Sequence, residues 1–278
     1  MTRISIFAAA ILMATPGTSF AQQGPAGLFI WDLNEPAAGG SVIRELDETG
    51  PSAGAVVSQP LLNAPEFEYG NGNFYNSGNN GTLQIVNAGS GLVTSELSLD
   101  FGSSFNNVVT ALEYVDGFLY AGTAFQGSPF APASFATVDL NTGDVTTIGT
   151  TGVFGPLGGL AYSNGVMYAI EAGNQTPTDL YTIDLATGVA TSVGDTGLTL
   201  TGLEFGNDGV LYALGQDAFN DQLFSLDPGT GAATLIGTIA GDPNGRSITA
   251  GPATVIPEPS SLALLITGCA LFVSRRRR

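Results

Sequence analysis

Between residues 27 and 250 the chain alternates short apolar-polar runs with turn residues, and runs of this length and period predict β-strands. Around Leu180, for example, Leu180, Thr182 and Asp184 fall on one face, and Tyr181, Ile183 and Leu185 on the other. Two turn signatures recur. The first follows a strand that ends in an acidic or amide residue, with Gly four residues on. It reads Val138-Asp139-Leu140-Asn141-Thr142-Gly143, Ile183-Asp184-Leu185-Ala186-Thr187-Gly188 and Leu226-Asp227-Pro228-Gly229-Thr230-Gly231. Weaker copies are Val86-Asn87-Ala88-Gly89-Ser90-Gly91 and, without the Gly, Trp31-Asp32-Leu33. The second signature is apolar-x-aromatic, then Asn/Asp-Gly, then an apolar residue and Tyr. It covers Leu112 to Tyr120, Leu160 to Tyr168, Leu203 to Tyr212 with one extra residue, and a degenerate Phe67 to Tyr75.

The spacing converts these signatures into an architecture. Tyr75, Tyr120, Tyr168 and Tyr212 stand 45, 48 and 44 residues apart, and Asp139, Asp184 and Asp227 stand 45 and 43 apart. Two hairpins in about 45 residues is the size of a four-stranded propeller blade. The outer hairpin begins near Leu28, Leu83, Phe135, Leu180 and Leu223, while the inner type is complete four times. A fifth inner pair can come only from Arg246 to Val255, pairing with the outer hairpin Leu28 to Leu46. The expectation is an all-β propeller of about five four-stranded blades over residues 22–254, closed by strands from both ends of the domain. Pro/Gly/Ser/Ala-rich stretches at 51–66 and 121–134 read as insertions and leave an open or six-bladed ring compatible with the sequence.

Local turn chemistry accounts for the repeats without a ligand. Asn-Gly and Asp-Gly supply the positive φ values of a tight hairpin, and Asp-x-x-Thr-Gly fits an Asp capping a type I turn with Gly in the left-handed bulge. The repeated Tyr is expected to pack between neighbouring blades.

Charge narrows the functions. There are 24 acidic and 7 basic residues and no His, and Gly numbers 39 of 278. Between residues 22 and 256 only Arg44 and Arg246 oppose 23 acidic residues, a balance of −21. Such a surface repels phosphate backbones, so nucleic acid is not an expected partner. A chain without His carries no Ser-His-Asp triad, no Cys-His dyad and no His-rich zinc site. The lone Cys269 has no internal disulfide partner.

Both ends carry sorting features. Residues 1–21 read as a secretory signal peptide: Arg3, an apolar run from Ile4 to Met13, and Ser19-Phe20-Ala21 before a cleavage point between Ala21 and Gln22. At the other end Pro257-Glu258-Pro259 precedes a short apolar segment, Leu262 to Val273, and the cluster Arg275, Arg276, Arg277 and Arg278. Twelve residues of helix cover about 18 Å against a hydrocarbon core of about 30 Å, so this is a marginal membrane anchor. The arginines favour the cytoplasmic side, leaving residues 22–256 outside the inner membrane.

This order of Pro-Glu-Pro, short transmembrane helix and Arg tail over residues 255–278 resembles the PEP-CTERM sorting signal of Gram-negative bacteria, also named the ice-binding protein C-terminal domain. The resemblance implies recognition by an exosortase, a transient membrane anchor, and delivery to the cell surface or an exopolysaccharide matrix. The secretion machinery and surface polysaccharide are then the expected partners.

The sequence thus predicts an exported, non-catalytic propeller, with a calcium-dependent lactonase-like or other hydrolase as the alternative. No cofactor and no defined metal site are expected, only weak calcium binding by the acidic surface. For the hydrolase alternative the loop candidates are Glu171, Asn174, Asp217 and Asp221, an oxygen-only set suited to calcium. Asp139-x-Asn141-x-Gly143-Asp144 resembles the start of a calcium loop, but position twelve is Thr150, which favours the hairpin reading. Exposed aromatics, Trp31 among them, are candidate carbohydrate contacts.

Overall fold

The computed structural model describes residues 25–252 apart from the short interior segments 34–40, 60, 62–65, 79–80, 103–106, 126–130, 173–177, 217–219, 242–244 and 246. The expected signal peptide with Ala21 and Gln22, and the expected sorting segment with Pro257, Glu258, Pro259 and Arg275 to Arg278, lie outside the described residues, as do Asn174 and Asp217.

Among the described residues, twenty strands run in chain order. The first three are β1 (Leu28–Asp32), β2 (Val42–Asp47) and β3 (Ser52–Val56). Next come β4 (Glu66–Gly70), β5 (Asn73–Gly78), β6 (Thr82–Asn87) and β7 (Leu92–Ser98), then β8 (Asn107–Val115), β9 (Phe118–Phe125), β10 (Pro132–Val138) and β11 (Val145–Phe154). They are followed by β12 (Leu157–Ser163), β13 (Val166–Glu171), β14 (Asp179–Ile183) and β15 (Ala190–Asp195), and by β16 (Leu200–Phe205), β17 (Leu211–Gln216), β18 (Asp221–Leu226), β19 (Ala233–Thr238) and β20 (Ile248–Ala250). They form five antiparallel four-stranded sheets, and β4, β8, β12, β16 and β20, one edge strand from each, pack side by side in a closed ring. The chain is a five-bladed β-propeller, with no helix among the described residues.

The closing blade departs from the sequence expectation. It is β20-β1-β2-β3, one strand from the C-terminal side and three from the N-terminal side, instead of a terminal pair meeting a Leu28–Leu46 hairpin. Leu28 therefore opens the second strand of the blade. Its outer turn is Leu46-Asp47-Glu48-Thr49-Gly50, where the Thr49 N–H donates to Asp47 Oδ1 at 2.9 Å. Part of the stretch 51–66 that read as an insertion is β3, the outer strand of this blade; likewise β9 and β10 occupy both ends of 121–134.

The turn readings hold elsewhere. Asn71, Asp116 and Asn164 have φ near +50°, each followed by a positive-φ Gly. Asp139 Oδ1 accepts the N–H groups of Asn141 and Thr142, and Asp184 and Asp227 repeat the arrangement. This fixes Asp139 as a turn cap and absorbs the residues that resemble a calcium loop.

The apolar core lies between blades and not inside them. Each of the five interfaces holds one buried cluster: Phe29, Trp31, Phe67 and Phe74 join the closing blade to the β4 blade, and Phe135, Leu157 and Leu160 join the β8 blade to the β12 blade. A strand near the axis is covered on both faces, which is why β1 is buried at all five positions and alternation fades there. The outer strands β7, β11, β15 and β19 are covered on neither face to that degree and are written in Thr, Ser and Gly. The repeated tyrosines sit at blade interfaces as expected: Tyr75 stacks on Tyr114 at 5.7 Å, and Tyr168 meets Phe205 edge-on at 5.5 Å. Trp31 is buried against Phe67 and is not a surface contact for carbohydrate.

Candidate functional site

The axial edge of each inner strand has no further strand beside it, so its N–H groups need other acceptors. The x position of the apolar-x-aromatic signature faces that problem in every blade. The residues there are Glu68, Glu113, Ala161 and Glu204, with Thr249 in the closing blade. Strand pairing confirms their equivalence: Glu68, Glu113, Ala161 and Glu204 lie opposite Tyr75, Tyr120, Tyr168 and Tyr212, and Thr249 lies opposite Phe29.

Three of the four polar members reach the inner strand of the next blade, and Glu68 is met from the closing blade by Thr249. Glu113 accepts the Tyr162 N–H, Glu204 accepts the Ala250 N–H, and Thr249 Oγ1 accepts the Tyr69 N–H at 2.9 Å. Glu204 also accepts the Phe205 N–H at 2.6 Å, and its carboxyl is in hydrogen-bond contact with that of Glu68. Thr249 Oγ1 in turn donates to Glu68 Oε2 at 2.9 Å. Two residues earlier along the chain in each case, Ser247 Oγ donates to Glu66 Oε1.

Three carboxylates converge on the axis. One oxygen each from Glu68, Glu113 and Glu204 lies within 4.8 Å of the others, and all three residues are buried. Burial raises the affinity of every one for a proton. Desolvation is the largest cause for Glu66, Glu68 and Glu113, followed for Glu68 and Glu113 by repulsion from Glu204. Desolvation also pushes Glu204 up to about 8. One oxygen of Glu113 and one of Glu66 are shielded from solvent without a hydrogen-bond partner.

The residues proposed from sequence fare differently. Asp221 is buried and structural: its Oδ1 accepts Gln216 Nε2 at 2.8 Å and its Oδ2 accepts the Gly245 N–H at 2.6 Å, fixing the approach to β20. Glu171 is half-buried at the end of β13, accepting the Tyr181 hydroxyl at 3.3 Å, and burial raises its pKa. The structure brings neither into the axial cluster. The cluster itself was spelled out in the second signature, where Glu occupies the variable position in three of four copies. Only the strand register reveals that these positions share an axis.

No family model matches the chain and no curated protein matches it. Among solved structures, a computationally designed protein, Ika4, aligns at 14% identity over 60% of this chain and 92% of its own, with a TM-score of 0.37. A luciferin-regenerating enzyme aligns at 16% identity over 78% of this chain and 75% of its own, with a TM-score of 0.43.

Proposed function

We propose that this protein is an exported, non-catalytic β-propeller of the cell envelope or exopolysaccharide matrix, handled by an exosortase through its C-terminal segment. The observation that carries the non-catalytic reading is the axis. Among the described residues, the polar side chains at this register, Glu68, Glu113, Glu204 and Thr249, are buried and each contacts a neighbouring blade. A hydrolase needs a group that solvent and substrate reach, and with no His in the chain its acid and base would have to be carboxyls. Support for export comes from Ala21-Gln22 at one end and Pro257-Glu258-Pro259 with Arg275 to Arg278 at the other. The five blades are closed by β20, and on this reading residues 255–278 follow them as the sorting segment.

Intact-mass spectrometry of protein recovered from the envelope of its host tests the reading. The expected product begins at Gln22 and has lost the residues beyond about Pro259. Protein that keeps residues 260–278 while reaching the surface would refute processing and leave a plain anchor. Turnover of a lactone or ester by the purified chain would overturn the non-catalytic part and favour the hydrolase alternative.

A further inference from the structure

We infer that Glu68, Glu113 and Glu204 together hold one divalent cation, calcium by donor type and size, on the propeller axis. Three oxygens within 4.8 Å of one another leave a point no more than about 2.8 Å from each, which admits the roughly 2.3–2.6 Å of calcium–oxygen bonds. The donors are all oxygen, which selects a hard cation over zinc or copper.

Two further observations point the same way. Glu113, 5% exposed, presents a carboxylate oxygen with no hydrogen-bond partner. A shielded, unpartnered carboxylate oxygen is costly, and a cation relieves it. The fold does not itself require Glu at this register: Ala161 and Thr249 occupy it in the other two blades. Protein cations do not supply the balance either, for among the described residues the one arginine, Arg44, pairs with Asp32 Oδ2 at 2.5 Å and donates to the Gly54 carbonyl at 2.9 Å.

The cation would act as a staple. Its ligands come from β4, β8 and β16, and two of them also hold the short closing strand, Glu68 through Thr249 and Glu204 through the Ala250 N–H. Calcium therefore ties the blades of β4, β8 and β16 to the strand that completes the ring, independently of how the chain is exported.

Calorimetry with Ca²⁺ on the full chain in detergent, stripped beforehand with chelator, tests this. The expected result is one site per chain, micromolar or tighter, that persists at about 0.5 M salt, where surface attraction is screened. Glu113→Gln and Glu204→Gln should each weaken it by at least about tenfold, while Glu171→Gln and Asp139→Asn leave it unchanged. Several weak sites that vanish with salt would overturn the proposal in favour of a diffuse acidic surface. Arg246 lies outside the described residues, so Arg246→Gln is a necessary arm: binding that appears only in this variant would mean that a side chain already fills the position. Should the Glu variants fail to fold, the parent chain still decides. A melting temperature that rises by several degrees with Ca²⁺ at high salt is required, and no shift refutes the site.

Discussion

Thr249 Oγ1 donates to Glu68 Oε2 at 2.9 Å and accepts the Tyr69 N–H at 2.9 Å, so one hydroxyl joins residues 181 and 180 positions away. It is the polar seam of ring closure. Thr249→Val keeps the β-branched shape and removes the hydroxyl, leaving a buried carboxyl and a backbone N–H without this partner. The expected cost is about 1–3 kcal/mol, and Thr249→Ser should recover most of it. Urea denaturation of the three proteins checks both; equal midpoints would mean that the hydroxyl contributes nothing.

The outer turns join the blades by a different route. Gly143 has φ +84°, and a Cβ there would stand 2.3 Å from the Ser98 carbonyl oxygen of the preceding blade. Gly143→Ala therefore meets both a backbone conformation that L-residues resist and a backbone clash that no rotamer relieves. We expect a loss of about 2 kcal/mol or more. Gly50, in the corresponding turn of the closing blade, has nothing within 4 Å, and Gly50→Ala should stay within about 0.5 kcal/mol of the parent. Thermal melts that rank these two variants the other way would contradict the packing account.

That contrast shows what the sequence displayed and what it hid. The ~45-residue double-hairpin period, the turn chemistry and closure of the ring by both ends were legible, because backbone geometry demands Gly, Asn and Asp at fixed offsets. The partition of the closing blade was not, because Trp31-Asp32-Leu33 imitates an outer turn while the true one, Asp47 to Gly50, sits in a stretch rich in Pro, Gly and Ser. The axial cluster was hidden for another reason. Glu68, Glu113 and Glu204 are 45 and 91 residues apart, and only the meeting of three inner strands gives them a common environment.

Stability of the cation-free chain should fall as pH rises. The ordinary Glu value is 4.5, and burial lifts Glu204 to about 8 in the folded protein. A group whose folded pKa is raised contributes stability that is fully present below its unfolded value and lost as pH climbs through the folded one. Glu66, Glu68 and Glu113 shift in the same direction. Asp139 and Asp184 run opposite, since N–H and hydroxyl donors in their turns lower them, and their contribution disappears on acidification. In chelator, the melting temperature should decline between about pH 5 and pH 8, and Glu204→Gln should flatten that decline. A melting temperature that rises across this window would show that the axial carboxyls ionise in the folded ring without cost.

The last expectation concerns where the propeller ends. Strand β20 is three residues long, yet Ile248 is 2% exposed in the interface with the β16–β19 blade, Thr249 and Ala250 engage Glu68 and Glu204, and Ser247 engages Glu66. On the same strand's far side the Gly251 carbonyl accepts Asn207 Nδ2 at 2.7 Å, and its N–H donates to the Gly27 carbonyl at 3.0 Å. A chain ending after residue 254 keeps all of these contacts and should melt with the parent. A chain ending after residue 246 loses a buried Ile, worth about 2–5 kcal/mol by itself, and strands the edge N–H and carbonyl groups of β1. Its melting temperature should drop sharply. Amide exchange should quicken first along β1, β4 and β16, the strands that β20 touches. If the two truncations behave alike, closure by the C-terminal strand is not what holds the ring together.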